Sequence, residues 1–352
     1  MTVLQLSEAN IIGTVIAFIL GLFLVPMVIS FSEKKGLMDT PNERKIHSHP
    51  IPRLGGVAIW VCTMLAFLSL IVLSYYPYRS LLSGLLLGSS LMFLLGLVDD
   101  IYGLGAKFKF IIQISIATIV FLLGVKITQV FIPFIGLVQI PLIISYIITI
   151  LWVVGISNAV NFIDGVDGLA GSVISASCVT LGLISVALVP SDIVSGLIAF
   201  ILAGSMLGFL TYNFHPAKIF MGDSGALFAG FLLATLSVLY AMKVPDIKMY
   251  IPLLILIVPI ADITFSSVRR ILKATSPFTP DAEHIHHKLL KLGLSQNKAV
   301  LLLVAVSIFM GWLATYIAAS DTTKYFIYAV ILSVIMIVLN RHAKFGDSNK
   351  EE

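Results

Sequence analysis

The sequence predicts an all-α integral membrane protein, a polytopic bundle of about eleven transmembrane helices with its polar loops gathered on one face. Three observations predict it. Of the 352 residues, 59% are hydrophobic and only 11% charged, against about 25% charged in soluble domains. Mean hydropathy is +1.05, and apolar runs of membrane-spanning length recur along the chain. This composition excludes a sizeable soluble core, so residues 1–352 read as a single transmembrane domain. The net charge of +4 is modest, and membrane topology explains its basic residues better than nucleic acid does. Cys62 and Cys178 both fall inside apolar runs, which implies no disulfide framework. The first apolar run lacks a basic leader and is long enough to span, so it reads as a helix rather than a cleavable signal.

The runs place spans near residues 10–31, 55–75, 80–98, 110–125, 142–159, 172–189, 193–212, 226–243, 248–268, 299–318 and 324–340. Eleven spans put the termini on opposite sides. Of the Lys and Arg residues, 17 fall on the side that carries the C-terminus and 5 on the other, so that side is expected to be cytoplasmic and the N-terminus outside. All seven His fall on the same side.

The first loop on that side contains N-E-R-K-I-H-S-H-P-I-P-R-L-G-G, where Lys45 and Arg53 can pair with phosphate or simply serve as positive-inside charge. In the second, Asp99 and Asp100 stand about 100° apart on a helix. One can therefore face a site while the other is solvated or bonded to backbone, and Lys107 and Lys109 follow closely. The third loop, N-A-V-N-F-I-D-G-V-D-G-L-A-G, spaces Asn158, Asn161, Asp164 and Asp167 by three. Each step of three turns a helix by about 60°, so one straight helix cannot aim all four at one point. Gly165, Gly168 and Gly171 are expected to end the helix and fold the chain back around a bound group. An Asp at bilayer mid-depth costs about 2.5–3.5 kcal/mol, so this segment belongs at the surface or in a wet cavity. Oxygen-rich side chains beside exposed N–H groups suit a nucleotide or a hydrated cation, although a polar interhelical turn has the same composition.

In the fourth loop, F-M-G-D-S-G places Asp223 between glycines, as a cation ligand or an N-cap, with Gly225 expected to open the next helix. Asp262 in P-I-A-D-I-T-F lies within or at the end of a span and is expected either to be functional or to pair with Arg269 or Arg270. The last loop carries H-I-H-H: His284, His286 and His287 followed by Lys288. Its spacing matches none of the usual zinc ligand pairs, and hydrogen-bonding contact with a diphosphate is the better reading. Residues 130–141, apolar with two prolines, read as an interfacial segment outside. Gly84 with Gly88, and Gly204 with Gly208, are spacings that mark helix packing and also admit a homodimer.

D-D-x-x-G, N-A-V-N-F-I-D-G-V-D-G-L, F-M-G-D-S-G and H-I-H-H, in this order, make the chain resemble the polyprenyl-phosphate N-acetylhexosamine-1-phosphate transferases of bacterial envelope synthesis. The resemblance runs from P-R-L-G-G through H-I-H-H. It implies an enzyme of the cytoplasmic membrane that transfers a sugar phosphate from UDP-N-acetylglucosamine to undecaprenyl phosphate, with Mg2+ or, in its place, Mn2+. It also implies roles. Asp223 and Asn161 are expected at the metal, and Asn158, Asp167, Gly168 and Arg270 at the nucleotide sugar. Lys45, Arg53 and Lys109 are expected at the lipid phosphate, and Asp99, Asp100, Asp164, His284, His286 and His287 in the catalytic set. The branch that uses UDP-N-acetylmuramoyl-pentapeptide carries three consecutive histidines, and Ile285 departs from that pattern. A cation-coupled transporter is the rival from another class; it would place acids from several helices at mid-membrane, whereas here nearly all lie at one face.

Overall fold

A computed structural model describes residues 3–40, 49–72, 80–132, 135–188, 193–243, 250–273 and 284–319. It is 81% helical, as an all-α polytopic protein requires. The elements are α1 (Val3–Lys35), β1 (Met38–Asp39), β2 (Ile51–Pro52), α2 (Gly55–Val72), α3 (Ser80–Tyr102), α4 (Ala106–Leu122), β3 (Gln129–Ile132), β4 (Gly136–Gln139), α5 (Leu142–Ile163) and α6 (Leu169–Leu188). They continue with α7 (Ile193–Asn213), α8 (Gly222–Lys243), α9 (Tyr250–Ile255), α10 (Ile257–Leu272), α11 (Ile285–Lys291) and α12 (Gln296–Ala319). Seven of these helices are long and apolar enough to cross a membrane, with α2 a shorter apolar companion.

The first ten expected spans coincide with helices, and the eleventh, at 324–340, lies outside the described residues. Several helices run further toward the polar face than their apolar windows suggested, and in three of them the extension carries site residues. Helix α3 continues to Tyr102, so Asp99 and Asp100 lie on a helix, as their 100° spacing supposed; α5 continues to Ile163; and α8 begins at Gly222, which puts Asp223 in its first turn. The ninth span is two helices, divided at Leu256. The expected interfacial segment contains an antiparallel hairpin, with Val130 opposite Val138 and Gln129 opposite Gln139.

Helix α8 is the axis of the bundle. In it 89% of the membrane-length window is buried against other helices, compared with 22% for α1 at the periphery. Several polar side chains inside the bundle find partners there, which a water-free interior favours. Thr63 Oγ1 donates to Ser205 Oγ at 2.9 Å, Trp152 Nε1 to Ser237 Oγ at 2.9 Å and the Tyr212 hydroxyl to the Leu22 carbonyl at 3.0 Å. Both cysteines are buried free thiols.

The small-residue pairs serve packing within the chain. A Cβ on Gly204 would lie 2.3 Å from the Thr14 carbonyl oxygen, and one on Gly208 would lie 2.9 Å from Gly21 Cα, so α1 and α7 meet backbone to backbone. Gly204 and Gly208 thus face α1 within the chain. Gly204→Val is expected to pry α1 from α7 and destabilise the protein by about 1–3 kcal/mol. Thermal unfolding in detergent measures this, and an unchanged Tm would contradict the packing.

Candidate active site

Five segments separated in sequence meet at one end of the bundle and enclose a cavity of about 640 Å3. They are the β1–β2 pair, the end of α3, the turn between α5 and α6, the segment from Asn213 to Asp223, and α11 with the start of α12. Each follows a helix that runs toward the same end, so alternate connections arrive together.

The acid pair divides its work as two residues 100° apart must. Asp100, buried at 6% exposure, turns to backbone. Its two oxygens accept the N–H groups of Asp223 at 2.9 Å and Ser224 at 3.0 Å, capping α8 from another helix. Close approach makes this possible: a Cβ on Gly96 would lie 2.4 Å from the Asp223 carbonyl oxygen, and one on Gly222, whose φ is +71°, would lie 2.6 Å from an Asp100 oxygen. Asp99 faces the other way. Its Oδ2 accepts from Lys109 Nζ at 2.8 Å while its Oδ1 accepts the Leu104 N–H at 2.6 Å. Lys109 also reaches Asp223 Oδ2 at 2.8 Å, so one ammonium joins α3, α4 and α8.

Helix α5 ends at Ile163, with Asp164 as its C-cap, and the chain reverses through Gly168 at φ +74°. Asn161, Asp164 and Asp167 line the cavity together with Asp100 and Asp223. Burial, then the neighbouring charges of Asp223, Asp100 and Asp167, push the Asp164 carboxyl well above the ordinary range. Asp167 Oδ2 accepts the Ala217 N–H at 3.2 Å and lies 2.8 Å from His215 Nδ1.

Other expected residues stand elsewhere. Asn158 does not line the cavity: its Nδ2 donates to Gln113 Oε1 at 2.6 Å and to the Val154 carbonyl at 2.8 Å. The buried Gln113 amide needs a polar partner, and the half-buried Asn158 supplies it between α4 and α5. The Gly168 N–H goes to Asn213 Oδ1 at 3.0 Å, which makes Gly168 a turn residue. Arg53 lines the cavity 4.0 Å from Asp39. Arg270, in the last turn of α10, does not line it. Lys45 lies outside the described residues.

The histidines also separate. His287 lines the cavity. His284 and His286 stand behind it, 8% and 2% exposed, with rings stacked 5.6 Å apart. Asp262 meets neither of the arginines expected for it by these bonds: it accepts the Ile285 N–H at 2.6 Å and lies 2.7 Å from His284 Nδ1. The His286 Nε2 has no hydrogen-bond partner among the described residues and sits against Gly165, where a Cβ would come within 3.0 Å of it. Asn213, His215 and Gln113 were not among the residues expected from sequence. The N-F-H-P run carrying the first two lay in a recognised loop, whereas Gln113 sits in an apolar helix with nothing nearby to mark it.

The profile of Glycosyl transferase family 4 matches residues 82–241, which include the acid pair, the Asn-Asp turn and Asp223. Across 94% of this chain and 92% of the relative, the chain is 36% identical to a protein of Bacillus subtilis (strain 168) named probable undecaprenyl-phosphate N-acetylglucosaminyl 1-phosphate transferase. The chain belongs to glycosyl transferase family 4. Other members of the family are similar over comparable lengths. A Mycobacterium leprae (strain TN) protein named decaprenyl-phosphate N-acetylglucosaminephosphotransferase is 33% identical over 85% of this chain and 81% of its own. A Thermotoga maritima protein named undecaprenyl-phosphate alpha-N-acetylglucosaminyl 1-phosphate transferase is 29% identical over 90% of this chain and 94% of its own. This family 4 member is thus a membrane transferase, and its matched segment carries most of the cavity wall.

Burial, then repulsion from His287, brings the His286 imidazole from 6.5 down to about 3. Below pH 6.5 the unfolded chain takes up a proton that the folded site refuses. The contribution of His286 to stability is therefore complete above 6.5 and is lost as pH falls toward 3, by up to about 1.4 kcal/mol per pH unit. His286→Gln should flatten this part of a Tm-versus-pH curve. Parallel curves for the two proteins would contradict the placement of His286.

Proposed function

We propose that this protein transfers N-acetylglucosamine 1-phosphate from UDP-N-acetylglucosamine to undecaprenyl phosphate, giving undecaprenyl-diphosphate-N-acetylglucosamine and UMP. This is the initiating step of a cell-envelope polysaccharide of teichoic acid or O-antigen type. The observation that carries the reading is the single cavity in which Asn161, Asp164, Asp167, Asp223 and His287 meet at one end of the bundle, in a chain similar throughout to relatives named for this transfer. A transporter reading fits poorly, because these acids converge at the end of the bundle rather than at mid-membrane.

Donor chemistry supports Mg2+ as cofactor, with Mn2+ as its substitute. The carboxylates of Asp223 and Asp164 and the amide oxygen of Asn161 offer oxygen ligands at the cavity. No three His, Cys, Asp or Glu side chains among the described residues form a ready ligand set. The oxygen donors suit a hard ion that keeps several waters and takes one or two carboxylates better than they suit zinc. When bound, the cation would neutralise charge on the diphosphate.

The chain's own residues would do the rest. Lys109, between Asp99 and Asp223, is placed to receive the acceptor phosphate at the end of the helices, where a lipid can enter sideways from the bilayer. Asp99 would orient that phosphate or remove its last proton. A phosphate monoester has a second pKa of about 6, so a strong base is not demanded and direct attack on the sugar-linked phosphorus is our preferred route over a phosphoryl-aspartyl intermediate. Asp167 and His215, in contact with each other, line the cavity where the nucleoside would lie. The excess of Lys and Arg on this face argues that it is cytoplasmic, with UDP-sugar arriving from the cytosol.

Detergent-purified protein with undecaprenyl phosphate, Mg2+ and UDP-N-acetylglucosamine should release UMP, and Asp223→Ala should lower that rate by about 100- to 1,000-fold. UMP release with only UDP-N-acetylmuramoyl-pentapeptide would transfer the protein to the peptidoglycan branch. Folded protein that releases UMP from neither would refute the transferase assignment.

A further inference from the structure

Asp262 has no part in the roles assigned above, yet it is the most completely engaged acid behind the cavity. It lies in the second turn of α10 at 2% exposure, and both of its oxygens are used. Oδ1 accepts the Ile285 N–H at 2.6 Å, and Oδ2 lies 2.7 Å from His284 Nδ1. An ionised carboxylate only accepts, so His284 Nδ1 carries the proton and Nε2 is the bare nitrogen. The His284 ring then rests against Phe162, 5.7 Å between centroids and next to Asn161, and stacks within 10° of parallel on His286.

We infer that Asp262 is a positioning residue for the histidine loop: one buried carboxylate from α10 fixes both the tautomer of His284 and the start of α11, and through them the approach of His287 to the cavity. A helix cap alone would need one oxygen and would be indifferent to the ring. Here the second oxygen is spent on the imidazole, in the manner by which outer partners fix the tautomer and orientation of a working histidine.

Asp262→Asn separates the two jobs. Its amide oxygen can still accept the Ile285 N–H, while its NH2 group now faces His284 Nδ1 and moves the ring proton to Nε2. In 15N-histidine-labelled protein, with His284→Gln used to assign the signals, the parent should show His284 protonated at Nδ1 and Asp262→Asn should show it protonated at Nε2. Resting on the transferase reading, kcat for UMP release should fall about 10- to 100-fold, with the KM for UDP-N-acetylglucosamine little changed. A parent His284 protonated at Nε2 would overturn the inference, as would a switched tautomer with unaltered kcat, which would leave Asp262 a cap only. If Asp262→Asn does not fold, the parent spectrum still decides the tautomer, and an unchanged kcat in His284→Gln would overturn the positioning role. The spectrum requires no turnover. A parent that releases no UMP therefore counts against the transferase reading alone.

Discussion

The start of α8 is held by a carboxylate that does not belong to it. The first N–H groups of a helix have no partner within the helix, and leaving them unpaired in a poorly hydrated interior is costly. Asp100 takes two of them from across the α3–α8 contact. That contact is close enough only because Gly96 and Gly222 have no Cβ. With the backbone end satisfied in this way, the Asp223 side chain has no capping duty and turns to Lys109 and the cavity. The adjacent Asp99 is left to hold Lys109 from the other side. A two-residue acid motif thus does two unlike things, one structural and one at the site, for a reason as simple as the pitch of a helix.

The same device appears on the histidine side, where Asp262 of α10 caps α11 and holds His284. The cavity therefore lies between two helix starts, each secured by an acid from a neighbouring helix. Between them the turn after α5 presents Asn161 and Asp164. Asp164 is the one cavity carboxyl whose raised affinity for protons can be traced to the neighbouring acids of both α3 and α8. Backbone approaches closely at Gly96 and Gly222, while the carboxylates of Asp100, Asp164, Asp167 and Asp223 line the cavity.

Much of this was legible in the sequence. Apolar runs place ten spans, and each of the four motifs contributes residues to the cavity wall, although Asp99, Asn158, Gly168, His284 and His286 do not line it. What the sequence hid has identifiable physical causes. A hydropathy window stops at the first charge, but a helix continues as long as its N–H groups find partners, so the apolar windows ended short of Asp99, Asp100 and Asp223. The partner of Asn158 is Gln113, 45 positions away in an apolar helix, and no local pattern connects them. H-I-H-H read as three equivalent donors. The seven-residue helix α11 turns them in different directions, and only His287 lines the cavity. The hairpin of β3 and β4 was missed because prolines and a glycine within an apolar stretch indicate a break without saying that the flanking strands pair.

The reach of the Asp100 cap has a consequence for biosynthesis. Asp100 and Ser224 are 124 positions apart. At common rates of translation, about 5–20 residues per second, the ribosome needs roughly 6 to 25 seconds to travel between them. Throughout that interval the nascent chain carries an acid whose final partners do not yet exist, at the end of a helix already delivered to the bilayer. Until α8 arrives, the α3 terminus has to stay hydrated at the surface, and the cavity has no shape to which a substrate could bind. Assembly of the working site is thereby deferred to the second half of synthesis, and it closes only when the histidine loop follows.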